Sequence, residues 1–186
     1  MEATIPEAPR RKLELVFMTG IFMVSLLIAT WLTYHLHGSP KTGIDDANIF
    51  FSYAENLADG RGLVYGHAGE RVEGFTSMLW VLICALMFQL SGGGERGVFV
   101  ISFLLLCITQ VVFLTIIRRQ AASLGRRSWP YELVFFLLVL SSPAYISWMT
   151  ITLMDTCLWG TIVAFLLYLA VYPPESLCGR VLATCL

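Results

Sequence analysis

The chain predicts an all-α membrane protein, a polytopic helical bundle, and three observations lead there. Mean hydropathy is +0.74. Only 13% of residues are charged and 57% are hydrophobic, whereas a soluble domain carries roughly a quarter charged residues. The apolar residues gather in long runs, and the basic residues gather in short clusters between them.

The first run, Leu15 to Tyr34, has no charge. Its length suits a helix crossing the hydrocarbon core. Arg10-Arg11-Lys12 precedes it, so the positive-inside rule predicts a cytoplasmic N-terminal tail over 1–12 and span 1 over 15–34. No small-residue cleavage site follows, which predicts an uncleaved anchor.

The remaining runs are Phe75 to Leu90, Val98 to Ile117, Leu133 to Leu153 and Thr156 to Tyr172. If all five crossed, Arg118, Arg119, Arg126 and Arg127 would lie outside, against the positive-inside rule. The conflict disappears if Phe75 to Leu90 does not cross. That run is short, opens with Thr76 and Ser77 and carries Gln89. Runs of this length are often interfacial or re-entrant, so a juxtamembrane helix is expected there. The expected order is an outer loop with juxtamembrane helices over 35–97, span 2 over 98–117, span 3 over 133–153 and span 4 over 156–172. Pro143 is expected to kink span 3. A further apolar segment starts within 177–186.

This topology delivers Asp45, Asp46 and Asp155 to one outer face, and paired carboxylates there suit chemistry on a lipid-borne substrate. Ile49, Phe50, Tyr53, Ala54 and Leu57 recur at helical spacing, which predicts a surface helix over Ala47 to Asp59. Asp46 is the expected N-cap and Gly60 the expected C′ residue. Capping alone accounts equally well for both aspartates, and a helix dipole accounts for Asp155. The glycines from Gly60 to Gly69 form no nucleotide fingerprint, and no basic stripe suits nucleic acid. The five cysteines form no C-x-x-C pair and read as small buried thiols. His35 and His37 read as a solvated interfacial pair, and Glu70 and Glu73 as loop charges.

Three blocks carry a family resemblance: Asp45-Asp46-Ala47-Asn48-Ile49, Tyr53-Ala54-Glu55-Asn56-Leu57 with Gly60-Arg61-Gly62-Leu63-Val64-Tyr65, and Gly69 to Trp80. Together they resemble the first outer loop of bacterial GT-C glycosyltransferases, in the group that includes mycobacterial arabinofuranosyltransferase B. More distantly they resemble the lipid A aminoarabinose transferases and protein O-mannosyltransferases. Leu153-Met154-Asp155-Thr156 is similar to the acidic motif that opens a later helix in that family. Asn48, Ser52, Met78 and Leu153 depart from the pattern; Leu153 stands where a glycine is usual.

The resemblance implies a GT-C-like N-terminal module in a bacterial plasma membrane. It also implies transfer of a sugar from a polyprenyl-phosphate donor to a hydroxyl acceptor on the outer face. A hydroxyl is a poor nucleophile at neutral pH, so a carboxylate must take its proton, and Asp45 is expected in that role. Asp46 would orient it, and Asp155 would converge on the same spot. Three oxygen donors suit Mg²⁺ or Mn²⁺, and such an ion would offset charge on the leaving phosphate. Arg61 and Arg71 are the candidate phosphate contacts, with a plain surface charge as the favoured alternative for each. Because family members run longer, the chain is expected to be the N-terminal part of such an enzyme, with a separately encoded C-terminal half as a partner. The alternatives are a catalytically inactive truncated membrane protein and a small transporter subunit. A transporter should place charges within spans or show internal repeats, and the sequence displays neither.

Overall fold

The computed structural model describes residues 7–37, 45–66, 74–92 and 94–173; for 7–12, 37, 45 and 46 it describes the backbone alone. Among the described residues the secondary structure is helical, in seven helices: α1 Glu7–His37, α2 Asp45–Ala58, α3 Met78–Ser91, α4 Glu95–Ser123, α5 Trp129–Leu140, α6 Pro143–Thr150 and α7 Thr156–Val171. Residues 177–186, expected to open another apolar segment, lie outside the described residues.

Two helices are long and apolar enough to cross a membrane, α1 over Leu13–Leu36 and α4. The bent pair α5 and α6 meets the same length and composition only when the two are taken together as one broken span, and α3 and α7 are shorter apolar helices. Their outward faces explain the composition. Val24, Leu27 and Ile28 on α1, Leu137 and Leu138 on α5, and Val163 and Phe165 on α7 are exposed. Exposed apolar side chains in such number mark faces for protein or membrane contact.

Two contacts fix the pairing of α1 with α4. Arg118 near the end of α4 reaches Leu15 and Thr19 near the start of α1. Tyr34 near the end of α1 meets Phe99 near the start of α4, with ring centroids 5.6 Å apart. The two helices are therefore antiparallel. α7 runs parallel to α4: the Thr161 hydroxyl donates to the Leu105 carbonyl and the Tyr172 hydroxyl to that of Ile116. The clustered arginines thus lie at one end of the bundle, beside the start of α1. Asp155, at the start of α7, lies toward the opposite end.

The expected span over 133–153 is not one kinked helix. It is broken into α5 and α6, inclined at 73°. Pro143 has no N–H to donate and its ring collides with the carbonyl four residues back, so α5 ends before it. Ser142 then caps α6, its hydroxyl accepting from the Tyr145 N–H, with Pro143 in the first turn. A proline and a fresh N-cap together make a new helix where a proline alone would bend an old one. The span expected over 98–117 is also longer, because α4 carries Arg118 and Arg119 within the helix.

In α2 the expected start is corrected: the helix includes Asp45, so Asp46 is not its N-cap. The expected end holds. Gly60 has φ +77°, its N–H reaches the Leu57 carbonyl, and the Arg61 N–H reaches the Asn56 carbonyl. That paired closure is a Schellman motif, which requires a left-handed residue at C′. The predicted apolar stripe is buried in protein: Phe50, Tyr53 and Ala54 are 3%, 1% and 0% exposed. Its partner is α3, where Phe88 packs on Phe51 with centroids 5.4 Å apart.

Candidate functional site

The residues that carry the resemblance hold the loop together. The Tyr53 hydroxyl accepts from the Gly74 N–H at 3.2 Å. A Cβ on Gly74 would come within 3.3 Å of that hydroxyl, so a side chain there would crowd the bond. The Asn56 amide donates to the Val64 carbonyl at 2.6 Å and ties the turning segment back to α2. Asn56 is 3% exposed; this bond satisfies its amide N–H, while its Oδ1 is buried without a hydrogen-bond partner among the described residues.

The last link reaches furthest along the chain. Trp80, fully buried at the start of α3, donates its indole N–H to the Leu153 carbonyl at 3.1 Å. Leu153 has φ +56°, a left-handed conformation that costs a Cβ-bearing residue about 1 kcal/mol. The backbone turns there between α6 and α7. This explains physically why a glycine suits that place.

Asp155 follows directly at the N-cap position of α7. Its carboxylate makes no backbone cap; it accepts instead from the Trp159 indole N–H at 2.9 Å. The helix dipole favours a negative charge there. The side chains of Asp45 and Asp46 are not among the described residues. Their backbone opens α2, packed on α3, the helix that touches the Leu153 corner. Arg61 forms an ion pair with Asp59 on an exposed edge, so its guanidinium is already engaged. Arg71, Glu70 and Glu73 lie outside the described residues. His35 is exposed and packs against Trp31, the rings tilted at 41° with centroids 4.2 Å apart. No group of three or more metal-ligand side chains occurs among the described residues, a set without Asp45 and Asp46. Cys84, Cys107 and Cys157 are free thiols.

A groove of about 1290 Å³ opens between α1, α2, the end of α3 and the start of α4, and sequence reasoning missed it. Its walls are aromatic and aliphatic, with Trp31, Tyr34, Phe51, Phe99 and Phe103 among them. Its polar lining includes Asn48, Ser52 and Glu55 from α2 and Glu95 and Arg96 from α4. Asn48, Ser52 and Glu55 are spaced to share one helical strip, and position 45 falls on the same strip by register. The available signal was this polar strip on α2, opposite the apolar stripe.

A search of family models matches none to this chain, and neither curated proteins nor solved structures show a match to it.

Proposed function

We propose that the chain is a membrane glycosyltransferase of GT-C type, or the N-terminal module of one, acting on a polyprenyl-phosphate sugar at the outer face of a membrane. The observation that carries this reading is the Trp80–Leu153 hydrogen bond. It joins the end of the loop block to the acidic corner at Asp155, two stretches 73 residues apart that the resemblance assigns to one site. The packing of α2 on α3 brings the helix that starts with Asp45 and Asp46 into the same assembly.

In this reading the bundle crosses a bilayer with its arginine end in the cytoplasm, as the positive-inside rule requires. The exposed apolar faces meet lipid, and α2 and α3 form the juxtamembrane pair on the outer side. Asp45 takes the proton from an acceptor hydroxyl. The acceptor oxygen forms a bond to the anomeric carbon of the sugar. The bond from that carbon to the phosphate oxygen breaks, and its electron pair leaves with the polyprenyl phosphate. Asp46 orients Asp45. Asp155, held by Trp159, faces the same chemistry from the start of α7.

Carboxylate oxygens fit Mg²⁺ or Mn²⁺, with Asp45, Asp46 and Asp155 as the holding residues. Such an ion would supply positive charge against the departing phosphate. Arg61 would have to exchange Asp59 for phosphate to contribute.

The test is a transfer assay in membranes with labelled polyprenyl-phosphate sugars. It uses the chain alone and then with any separately encoded C-terminal half. Asp45→Asn is expected to abolish transfer while membrane insertion persists. Undiminished transfer by that variant removes Asp45 from the mechanism.

A further inference from the structure

The groove between α1, α2, α3 and α4 has two unlike parts. Leu27, Val100 and Leu104 line it and are also exposed on the outer surface of the bundle, so its apolar wall is continuous with the faces that meet lipid. Thr30, also in the wall, is 2% exposed, and its hydroxyl has no hydrogen-bond partner among the described residues. A buried hydroxyl without a partner costs free energy that a ligand hydroxyl or water would recover. Among the described residues the polar part carries the carboxylates of Glu55 and Glu95, the guanidinium of Arg96 and the imidazole of His35.

We propose that this groove holds the acceptor: a lipid-tethered polyol or saccharide whose apolar tail enters from the bilayer and whose hydroxylated ring lies between Trp31 and Glu55. Three considerations select this occupant over the lipid phosphate of the donor. Two carboxylates, set among the described lining against the guanidinium of Arg96 and the imidazole of His35, repel a phosphate and accept hydrogen bonds from neutral hydroxyls. Trp31 and Tyr34 offer flat apolar faces beside polar groups, which suits a ring that is apolar on its faces and polar at its edge. Position 45 lies on the strip of α2 that lines the groove, so an acceptor hydroxyl seated there lies along the helix face that carries the proposed base. The inference rests on the glycosyltransferase reading for the role of acceptor and for the base at position 45; the chemistry of the occupant follows from the groove.

The experiment uses the full chain in lipid nanodiscs and an octyl glucoside bearing a photoreactive diazirine. Adducts are mapped by mass spectrometry. Labelling is expected on α1 and on the first turns of α4, competed by unlabelled octyl glucoside and not by octyl phosphate. Glu55→Gln and Glu95→Gln together are expected to weaken competition about tenfold, the worth of one hydrogen bond to a charged acceptor. Ser52→Ala, a smaller change on the same strip, is expected to weaken it less while helicity stays constant. Competition by octyl phosphate alone overturns the proposal and assigns the groove to a lipid phosphate. Labelling spread evenly over the exposed apolar faces, indifferent to every variant, also overturns it. Because the readout is binding, Asp45→Asn is expected to keep the labelling. Retained labelling without any transfer activity would count against the transferase reading alone.

Discussion

Arg118 grips Glu132 with two nitrogens, Nε to Oε1 at 3.1 Å and Nη2 to Oε2 at 2.8 Å. Glu132 is fully buried. The same guanidinium donates to the Thr19 hydroxyl at 2.8 Å and the Leu15 carbonyl at 3.2 Å. One side chain therefore closes α1, α4 and α5 together at the arginine end. Removing one partner of a buried pair strands the other charge. Arg118→Ala is expected to destabilise the protein by about 3 kcal/mol, the low end for such pairs, because the arginine keeps 24% exposure. Arg118→Leu combined with Glu132→Met is expected to cost much less. Thermal unfolding in detergent checks both, and equal losses would remove the pair from the stability of the bundle.

Trp80→Phe puts a smaller ring in a fully buried site and deletes the N–H that holds Leu153. The unpaired buried carbonyl is expected to cost about 1–3 kcal/mol, and the cavity left by the lost ring adds to it. Leu153→Gly sets two effects against each other. It relieves a left-handed backbone by about 1 kcal/mol, but it removes a side chain that is 2% exposed, worth about 2–5 kcal/mol. Net destabilisation is therefore expected in a denaturant melt, and a more stable variant would show that the leucine packs poorly.

Trp159 acts on Asp155 through a single bond. Trp159→Phe is expected to lower transfer about tenfold, the worth of one hydrogen bond to a charged group, without altering KM for the acceptor. The steady-state split between kcat and KM is the measurement. An effect confined to KM would make Trp159 a binding residue.

Arg127 sits in the exposed turn after α4, free of the ion pair that engages Arg118. Arg127→Cys should resist a membrane-impermeant maleimide added from outside intact cells, and Asp59→Cys should react. The reverse pattern would invert the topology.

Cys84 is 0% exposed on α3. Burial pushes its thiol well above the usual range, with neighbouring Cys157 adding to the shift. Since the thiolate is the reactive form, Cys84 is expected to stay unmodified by maleimide at pH 8 until the protein unfolds. Mass spectrometry before and after denaturation reads the difference.

Much of the helical order was legible in the sequence, because long apolar runs leave few other solutions. The Gly60 terminus was legible too, since one glycine followed the last residue of a clear stripe. The break at Ser142 was not. A proline in an apolar run is compatible with a bend or a stop, and the hydrogen bond from Tyr145 to Ser142 that decides between them exists only once the corner forms. The Arg118–Glu132 pair was hidden for another reason. Glu132 lies one residue before an apolar run and reads as a flanking charge, whereas its burial depends on α1 and α4 closing over it. The groove is lined by four helices, α1 to α4, and exists only once they pack.

The corner at Ser142 also sets a depth. α5 has 12 residues and rises about 18 Å at 1.5 Å per residue. α6 has 8, but at 73° to α5 its length of about 12 Å adds only about 4 Å along that axis. α7 returns with 16 residues, about 24 Å. Both legs fall short of a hydrocarbon core about 30 Å thick. Under the proposed topology, with the arginine end at the inner boundary of such a bilayer, Asp155 would stand several ångströms beneath the outer boundary rather than at its surface. A carboxylate at that level is tolerated only beside a polar partner or water. Trp159 supplies the partner, so the water must come down through the protein, and a headgroup that meets Asp155 has to descend the same way.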